Sequence, residues 1–388
     1  MNHQKLHWSD TANSIAVFTV SVLIGGLGWS GNPALHFLAL LYPFVYIHLR
    51  RRLDTLSAVF YYAASTWPII PGAQSFFQTG HHLGKPFAIW IAITVIGSLP
   101  WILFYHRRFL PLSAITALTA LAMPPLSLIT VAHPLIAAGL WFPGTRWFGL
   151  VLPLILLAVQ RRLGASFAFS VLILASLAVH ARFSRPIADS HIVAVDTNFG
   201  REFGAGAQEV ECKLQQIAIA HPNALLIFPE SVIQDWSAAH DARWASTFAQ
   251  LNTQHTGILI GTTIPIPNTQ ANRNVLLSRG YSEHLSYVQR VPIPLGMWQL
   301  GESRHGFPLS LRYPATIRVW NRRTGVLLCY EQMTFWPAAE TMARNPEILI
   351  APSNLYWARN TSIPAIQHLA AQDWADLWAI PLYEARNL

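Results

Sequence analysis

The stretch Gly325-Val-Leu-Leu-Cys329-Tyr-Glu331-Gln-Met-Thr-Phe-Trp-Pro337 reads as an apolar strand that ends on a thiol, with a carboxylate two residues further on. Cys329 is either a nucleophile presented at a strand end or a small apolar residue of a core strand, a common place for free cysteine. A second stretch of the same form, Leu226-Ile-Phe-Pro-Glu230-Ser231, puts a carboxylate just past a strand. Burial at such a strand end raises a carboxylate's pKa and suits it to general-base work. A base of that kind facing Cys329 would make the thiol an activated nucleophile for acyl transfer.

Around these two strand ends the sequence keeps an α/β rhythm. Apolar strands are expected at 191–195, 224–228, 257–260, 274–277, 325–328 and 347–350, with helical spacing over 207–220 and 237–253. That alternation argues for an α/β sandwich-like domain, in which chemistry sits where strands end.

Toward the N-terminus the composition changes. Over all 388 residues the hydrophobic content is 52% and the charged content only 11%, where a globular domain usually carries about a quarter charged residues. Residues 11–180 hold long apolar runs, whereas residues 186–388 carry nearly all the acids. Runs at 11–29, 33–49, 55–71, 86–105, 109–132, 147–160 and 164–180 approach the roughly 20 apolar residues that cross a bilayer. The expectation is a membrane domain over 1–185 with about seven transmembrane helices.

The basic clusters Arg50-Arg-Arg52, His106-Arg-Arg108 and Gln160-Arg-Arg162 follow the second, fourth and sixth runs and so share one side. The positive-inside rule makes that side cytoplasmic. Seven crossings then put the domain from about residue 186 on the periplasmic face of a bacterial inner membrane. An eighth span within 109–143, where Met123-Pro-Pro125 and His133-Pro134 interrupt the run, would return it to the cytoplasm.

The net charge of +8 lies largely in arginines flanking apolar runs, which argues for membrane anchoring over direct nucleic-acid binding. Cys212 and Cys329 have neither metal-ligand spacing nor a disulfide framework, and no metal or cofactor is expected.

The pair Phe228-Pro-Glu230 and Leu328-Cys-Tyr-Glu331 brackets Tyr287-Val-Gln-Arg-Val-Pro-Ile-Pro-Leu-Gly296 and is followed by Ser353-Asn-Leu-Tyr-Trp357. This set resembles the nitrilase (carbon–nitrogen hydrolase) superfamily, in particular its membrane branch of bacterial apolipoprotein N-acyltransferases. Short nitrilase-like proteins encoded by conjugative plasmids share the Val291-Pro-Ile-Pro-Leu-Gly296 wording. The resemblance implies a multi-span α-helical membrane domain followed by an α-β-β-α sandwich over 186–388. That sandwich would lack its last strands, since the acyltransferases continue past the point where this chain stops at Leu388.

Residue by residue, the resemblance assigns Glu230 as general base and Cys329 as nucleophile. The family's lysine, which stabilises the oxyanion in the pattern Tyr-x-Lys-x-x-Leu-Val-Pro-Phe-Gly-Glu, is replaced by Gln289, with Arg290 beside it. The whole chain holds only Lys5, Lys85 and Lys213. Loss of one oxyanion donor costs on the order of 100–1000-fold in rate. Gln289 can donate a neutral hydrogen bond, and Arg290 can bring charge only if its side chain turns inward. Met297 stands where the acyltransferase pattern has an acid, with Glu302 and Glu331 as candidate substitutes.

Tyr330, Glu331, Asn354 and Trp357 border the pair as candidate substrate-binding residues, with packing as the alternative for Tyr330 and Trp357. Two functions follow. One is an acyltransferase or amidase of the Glu/Cys thioester type acting on a membrane lipid or lipid-linked substrate. The other is a catalytically impaired nitrilase fold serving the conjugation machinery as a membrane-anchored accessory.

Overall fold

The computed structural model describes residues 2–49, 52–200, 205–281, 286–298 and 305–388. Arg50 and Arg51 of the first basic cluster, and Glu302, lie outside them. The chain forms two compact units. One takes in Met1–Arg185, Met333–Trp336 and Thr361–Ala379; the other takes in Pro186–Gln332, Pro337–Asn360 and Ile380–Leu388.

The second unit holds two sheets. The first runs β1 (Ile192–Ala194), β2 (Leu225–Ile227), β3 (Gly257–Pro265), β4 (Gln270–Gly280) and β5 (Ser286–Val288), with the short β6 (His305–Gly306) pairing β4. Strands β1 to β3 are parallel, and β3, β4 and β5 are antiparallel. The second sheet is ordered β10 (Leu382–Asn387), β9 (Ile348–Asn354), β8 (Arg322–Val326) and β7 (Thr316–Val319). Here β8, β9 and β10 are parallel and β7 is antiparallel.

Strand periodicity explains how the layers stack, because successive side chains face opposite sides. Leu225 and Ile227 join Leu259, Val326, Leu328 and Ile350 in a core drawn from both sheets. Leu226 and Phe228, one residue out of phase, join Ile258 and Ile260 in a second core with helix Ala205–Ile219 and helix Ala238–Thr253. The first of those helices supplies Val210, Leu214 and Ala218 at a spacing of four, and the second supplies Trp244 and Leu251. Ser237 caps the second helix through a box with His240. The result is an α/β fold with two sheets.

The helical unit corrects the expected multi-span membrane domain. Among the described residues one helix, Gly84–Leu103 with 20 residues, is long and apolar enough to cross a membrane. The run 33–49 divides into the turn His36–Leu41 and the short helix Tyr42–Tyr46. The run 55–71 breaks between Ser57–Thr66 and Ile69–Phe76, with Pro68 at the break. Helix Leu110–Ala122 stops before Met123-Pro-Pro125. In the first run the apolar helical part is Asn13–Gly28.

Helices Trp147–Leu163 and Ala165–His180 have 17 and 16 residues. At 1.5 Å per residue they reach only about 24–26 Å, short of the roughly 30 Å hydrocarbon core. The physical reason is that apolar content does not set helix length. Breaks fall at Pro68 and before Pro124 and Pro125, where a proline lacks a backbone donor, and at Gly164, whose φ of 90° suits glycine.

Polar groups tie this unit together as well. Ser14 Oγ donates to Asp54 Oδ1 at 2.6 Å, and His36 Nε2 lies 2.9 Å from Asp373 Oδ2. Asp373 belongs to helix Ile363–Trp378, which packs within the helical unit. Gly139 is needed there, because a Cβ on it would meet the Asp373 backbone oxygen at 1.9 Å.

Candidate active site

Glu230 follows β2 by three residues, after Phe228 N–H extends the parallel pairing to Leu259 O at 2.8 Å. The chain then turns tightly against β3. Gly261 makes that approach possible, since a Cβ there would fall 2.1 Å from Pro229 O and 2.5 Å from Glu230 Cα. Ser231 takes a left-handed backbone with φ of 48°. The Glu230 carboxylate is thereby directed into the protein interior and is buried.

Cys329 lies three residues beyond β8, at the start of the turn Cys329–Met333. Its φ of 51° is left-handed, a conformation that costs a side-chain-bearing residue about 1–3 kcal/mol and recurs at functional turns. The thiol hydrogen-bonds the Glu230 carboxylate, and the N–H groups of Tyr330 and Asn354 reach the sulfur. Glu230 Oε1 also accepts from Asn274 Nδ2 at 2.6 Å, and Oε2 accepts from Asn354 N–H at 3.0 Å.

Electrostatics separate the two groups. Burial pushes Glu230 above the ordinary carboxylate range, and its hydrogen bonds from Cys329, Asn274 and Asn354 pull it partly back. Burial together with the neighbouring Glu230 charge pushes the Cys329 thiol well above its ordinary value. The Cys329 thiol therefore keeps its proton at rest beside Glu230. Proton transfer to Glu230 must accompany attack on a substrate.

Gln289 joins this pair through sheet register. Val275 pairs with Val288 across β4 and β5, so Asn274 and Gln289 are the next cross-strand partners and share a face. Gln289 N–H donates to Asn274 O at 2.8 Å. Its side-chain Oε1 accepts from Asn274 Nδ2 at 2.9 Å, and its Nε2 donates to Leu328 O at 3.1 Å. The Asn274 amide thus bridges Glu230 and Gln289.

Arg290, just past the end of β5, points elsewhere. Its guanidinium donates to Glu340 Oε2 (2.9 Å), Tyr287 OH (2.9 Å), Thr341 Oγ1 (2.8 Å) and Pro337 O (3.1 Å), and it lies 3.6 Å from Glu331 Oε1. The structure brings Glu230, Gln289 and Cys329 together and ties the Arg290 charge to this second network.

Glu331 belongs to that network. Its carboxylate accepts from the N–H groups of Leu328, Arg290 and Val291 at 2.9, 2.7 and 3.1 Å, and from Tyr287 OH at 2.6 Å. Tyr330 is buried, and Trp357 is half-buried with its Nε1 donating to Asn354 O at 3.0 Å. Asn354 reaches the pair through its backbone, while its Oδ1 accepts from Asn387 Nδ2 at 2.9 Å.

Two positions escaped the sequence reading. Asn274 sits inside a strand, where asparagine is depleted, and that anomaly was its signal. Asn387 ends β10 and locks Asn354 to the 197–200 segment, with Oδ1 accepting from Thr197 Oγ1 at 3.0 Å and Phe199 N–H at 2.9 Å. Only the pairing of β10 with β9 reveals it.

No protein-family model matches the chain. Two curated relatives match it nearly end to end. The probable conjugal transfer protein TraB of Sinorhizobium fredii is 28% identical over 95% of this chain and 96% of its own length. The conjugal transfer protein TraB of Agrobacterium fabrum is 26% identical over 95% of this chain and 91% of its own. Over nearly its whole length the chain is similar to these two TraB proteins. Among solved structures, an amidase from Nesterenkonia sp. is 18% identical over 52% of this chain and 78% of its own, with a TM-score of 0.37. A cysteine-to-alanine variant of the Nesterenkonia AN1 amidase from the nitrilase superfamily is 14% identical over 53% and 79%, with a TM-score of 0.36.

Proposed function

We propose that this TraB-like chain is an acyl-transferring or amide-hydrolysing protein of the Glu/Cys type that serves plasmid conjugal transfer. The observation that carries the reading is the buried hydrogen bond between the Cys329 thiol and the Glu230 carboxylate. Glu230 would take the thiol proton, and Cys329 would carry the acyl group as a thioester. The link to conjugation rests on the two TraB relatives.

Membrane association and a lipid or lipid-linked acyl donor belong to the same proposal, with the bacterial inner membrane as the site. Helix Gly84–Leu103 supports it by its length and composition. Its residues Phe87, Ile91, Val95, Leu99 and Leu103 recur every four positions and are all exposed.

Replacement of the family lysine by Gln289 favours a second reading, a catalytically impaired fold kept as an accessory of the conjugation machinery. One experiment separates the two. A strain carrying Cys329→Ala in place of the wild-type chain is scored for plasmid transfer, with protein level checked by immunoblot. The enzyme reading expects transfer to fall while the protein persists. Transfer at the wild-type frequency would instead favour the accessory reading.

A further inference from the structure

His36 and Asp373 form a pair that the acyl-transfer reading does not use. His36 stands in the turn His36–Leu41 and Asp373 in helix Ile363–Trp378, with side-chain exposures of 1% and 5%. Geometry fixes their proton count. His36 Nδ1 lies 2.6 Å from Gly28 O, and a carbonyl oxygen only accepts, so Nδ1 carries a hydrogen. His36 Nε2 then faces Asp373 Oδ2 at 2.9 Å. With no proton between them, two lone pairs meet and both atoms are buried without a partner. One proton satisfies both, whether as imidazolium with carboxylate or as imidazole with carboxylic acid. We propose that His36 and Asp373 share a single proton that clasps helix Ile363–Trp378 into the helical unit and makes the docking of that helix sensitive to pH.

The surroundings leave that proton to the pair. Among the described residues, the turn packs against Asn13–Gly28 of the first helix and the segment Pro134–Trp141, neither of which holds an ionisable side chain. Tyr42 and Tyr46 of helix Tyr42–Tyr46 stay neutral because burial raises both phenols. His133, which caps the turn Pro134–Ala137, is pushed down to about 4 by burial and is neutral too. On the helix, Asp376 follows Asp373 by one turn and pairs with Arg185 Nη2 at 2.7 Å. His368 is set about 140° round the same helix from Asp373 at 3.6 residues per turn. Burial lowers the His36 imidazole, but the Asp373 charge and the hydrogen bonds to Asp373 and Gly28 outweigh it, and the net direction is upward. Asp373 is raised as well, chiefly by its burial.

In the undocked chain the imidazole loses its proton near its ordinary value, about 6.5, and the carboxylate is already ionised there. The docked pair keeps its proton above that value. Docking therefore takes up a proton, and the stabilisation from His36 is complete below about pH 6.5 and lost as pH rises through the raised docked value. Across that window each pH unit weakens docking about tenfold. The helix so held is the connection between β9 and β10.

The test follows amide hydrogen exchange of the purified full chain by mass spectrometry, on peptides covering residues 363–378, with each rate divided by its intrinsic rate at the same pH. Protection of this helix should fall about tenfold per pH unit above about pH 6.5. Asp373→Asn supplies an amide that donates to the bare Nε2 while Nδ1 still serves Gly28 O, so the helix should stay protected and the pH dependence should flatten. Protection independent of pH in the wild-type chain, or an unchanged slope in Asp373→Asn, overturns the clasp. A second readout needs the wild-type chain alone. Slow deuteration of the His36 ring C2–H should report a titration above the ordinary histidine value, and a titration at or below that value overturns the clasp whether or not the variant folds.

Discussion

The Glu331 carboxylate accepts the Arg290 backbone N–H at 2.7 Å and stands 3.6 Å from the Arg290 guanidinium, with both side chains fully buried. The same carboxylate holds Leu328 N–H, immediately before the nucleophile candidate, and Tyr287 OH, two residues before Gln289. One side chain therefore clamps the turn of Cys329 to the strand of Gln289. Its role in this arrangement is positional.

Glu331→Ala would remove the more buried of the two carboxylates that face Arg290 and leave the N–H groups of Leu328, Arg290 and Val291 without their acceptor. Breaking one side of a buried ion pair costs about 3–5 kcal/mol. The expected outcome is a large drop in the thermal unfolding midpoint. An unchanged midpoint would show that the clamp carries no stability.

Glu230 gives a pH signature with a defined sign. Its pKa is raised by burial, so the folded state binds more protons than the unfolded state between the ordinary carboxylate pKa and the raised one. Stability from this group is complete below the ordinary value and declines as pH rises through that window. Glu230→Gln should therefore match wild type in acid and unfold at a higher temperature than wild type at neutral pH. The same variant should lose the Cys329-dependent acylation, whose acid limb in wild type should lie above the ordinary carboxylate range.

Gly261→Ala tests how the base is positioned. The added methyl would collide with Pro229 O and Glu230 Cα, both backbone atoms, so the 229–231 turn must move. Overpacking of this kind costs about 1–3 kcal/mol. Slower alkylation of Cys329 by a small haloacetamide is expected alongside the lower midpoint. Wild-type alkylation would show that Glu230 does not depend on this approach.

Asn387→Ala should act at a distance from the thiol. It removes the partner of Asn354 Oδ1 and of Phe199 N–H, and a buried polar group left unpaired costs about 1–3 kcal/mol. Because Asn354 N–H holds Glu230, the pH profile of Cys329 acylation should shift as well as the midpoint. A midpoint change with no shift in profile would confine Asn387 to a structural role.

The sequence by itself determined the local features. Short apolar runs marked most of the long strands, helical spacing marked the helices Ala205–Ile219 and Ala238–Thr253, and the strand-end positions of Glu230 and Cys329 were plain from their neighbours. What local pattern does not contain is partnership across the chain. The bridge from Asn274 to both Glu230 and Gln289 depends on the register of β4 with β5. The destination of Arg290 depends on Glu340 and Thr341, about fifty residues away. The apolar runs of residues 11–180 misled for the same reason: their composition measured hydrophobicity, while turns and packing decided where each helix stops, and among the described residues Gly84–Leu103 is the one helix both long and apolar enough to span.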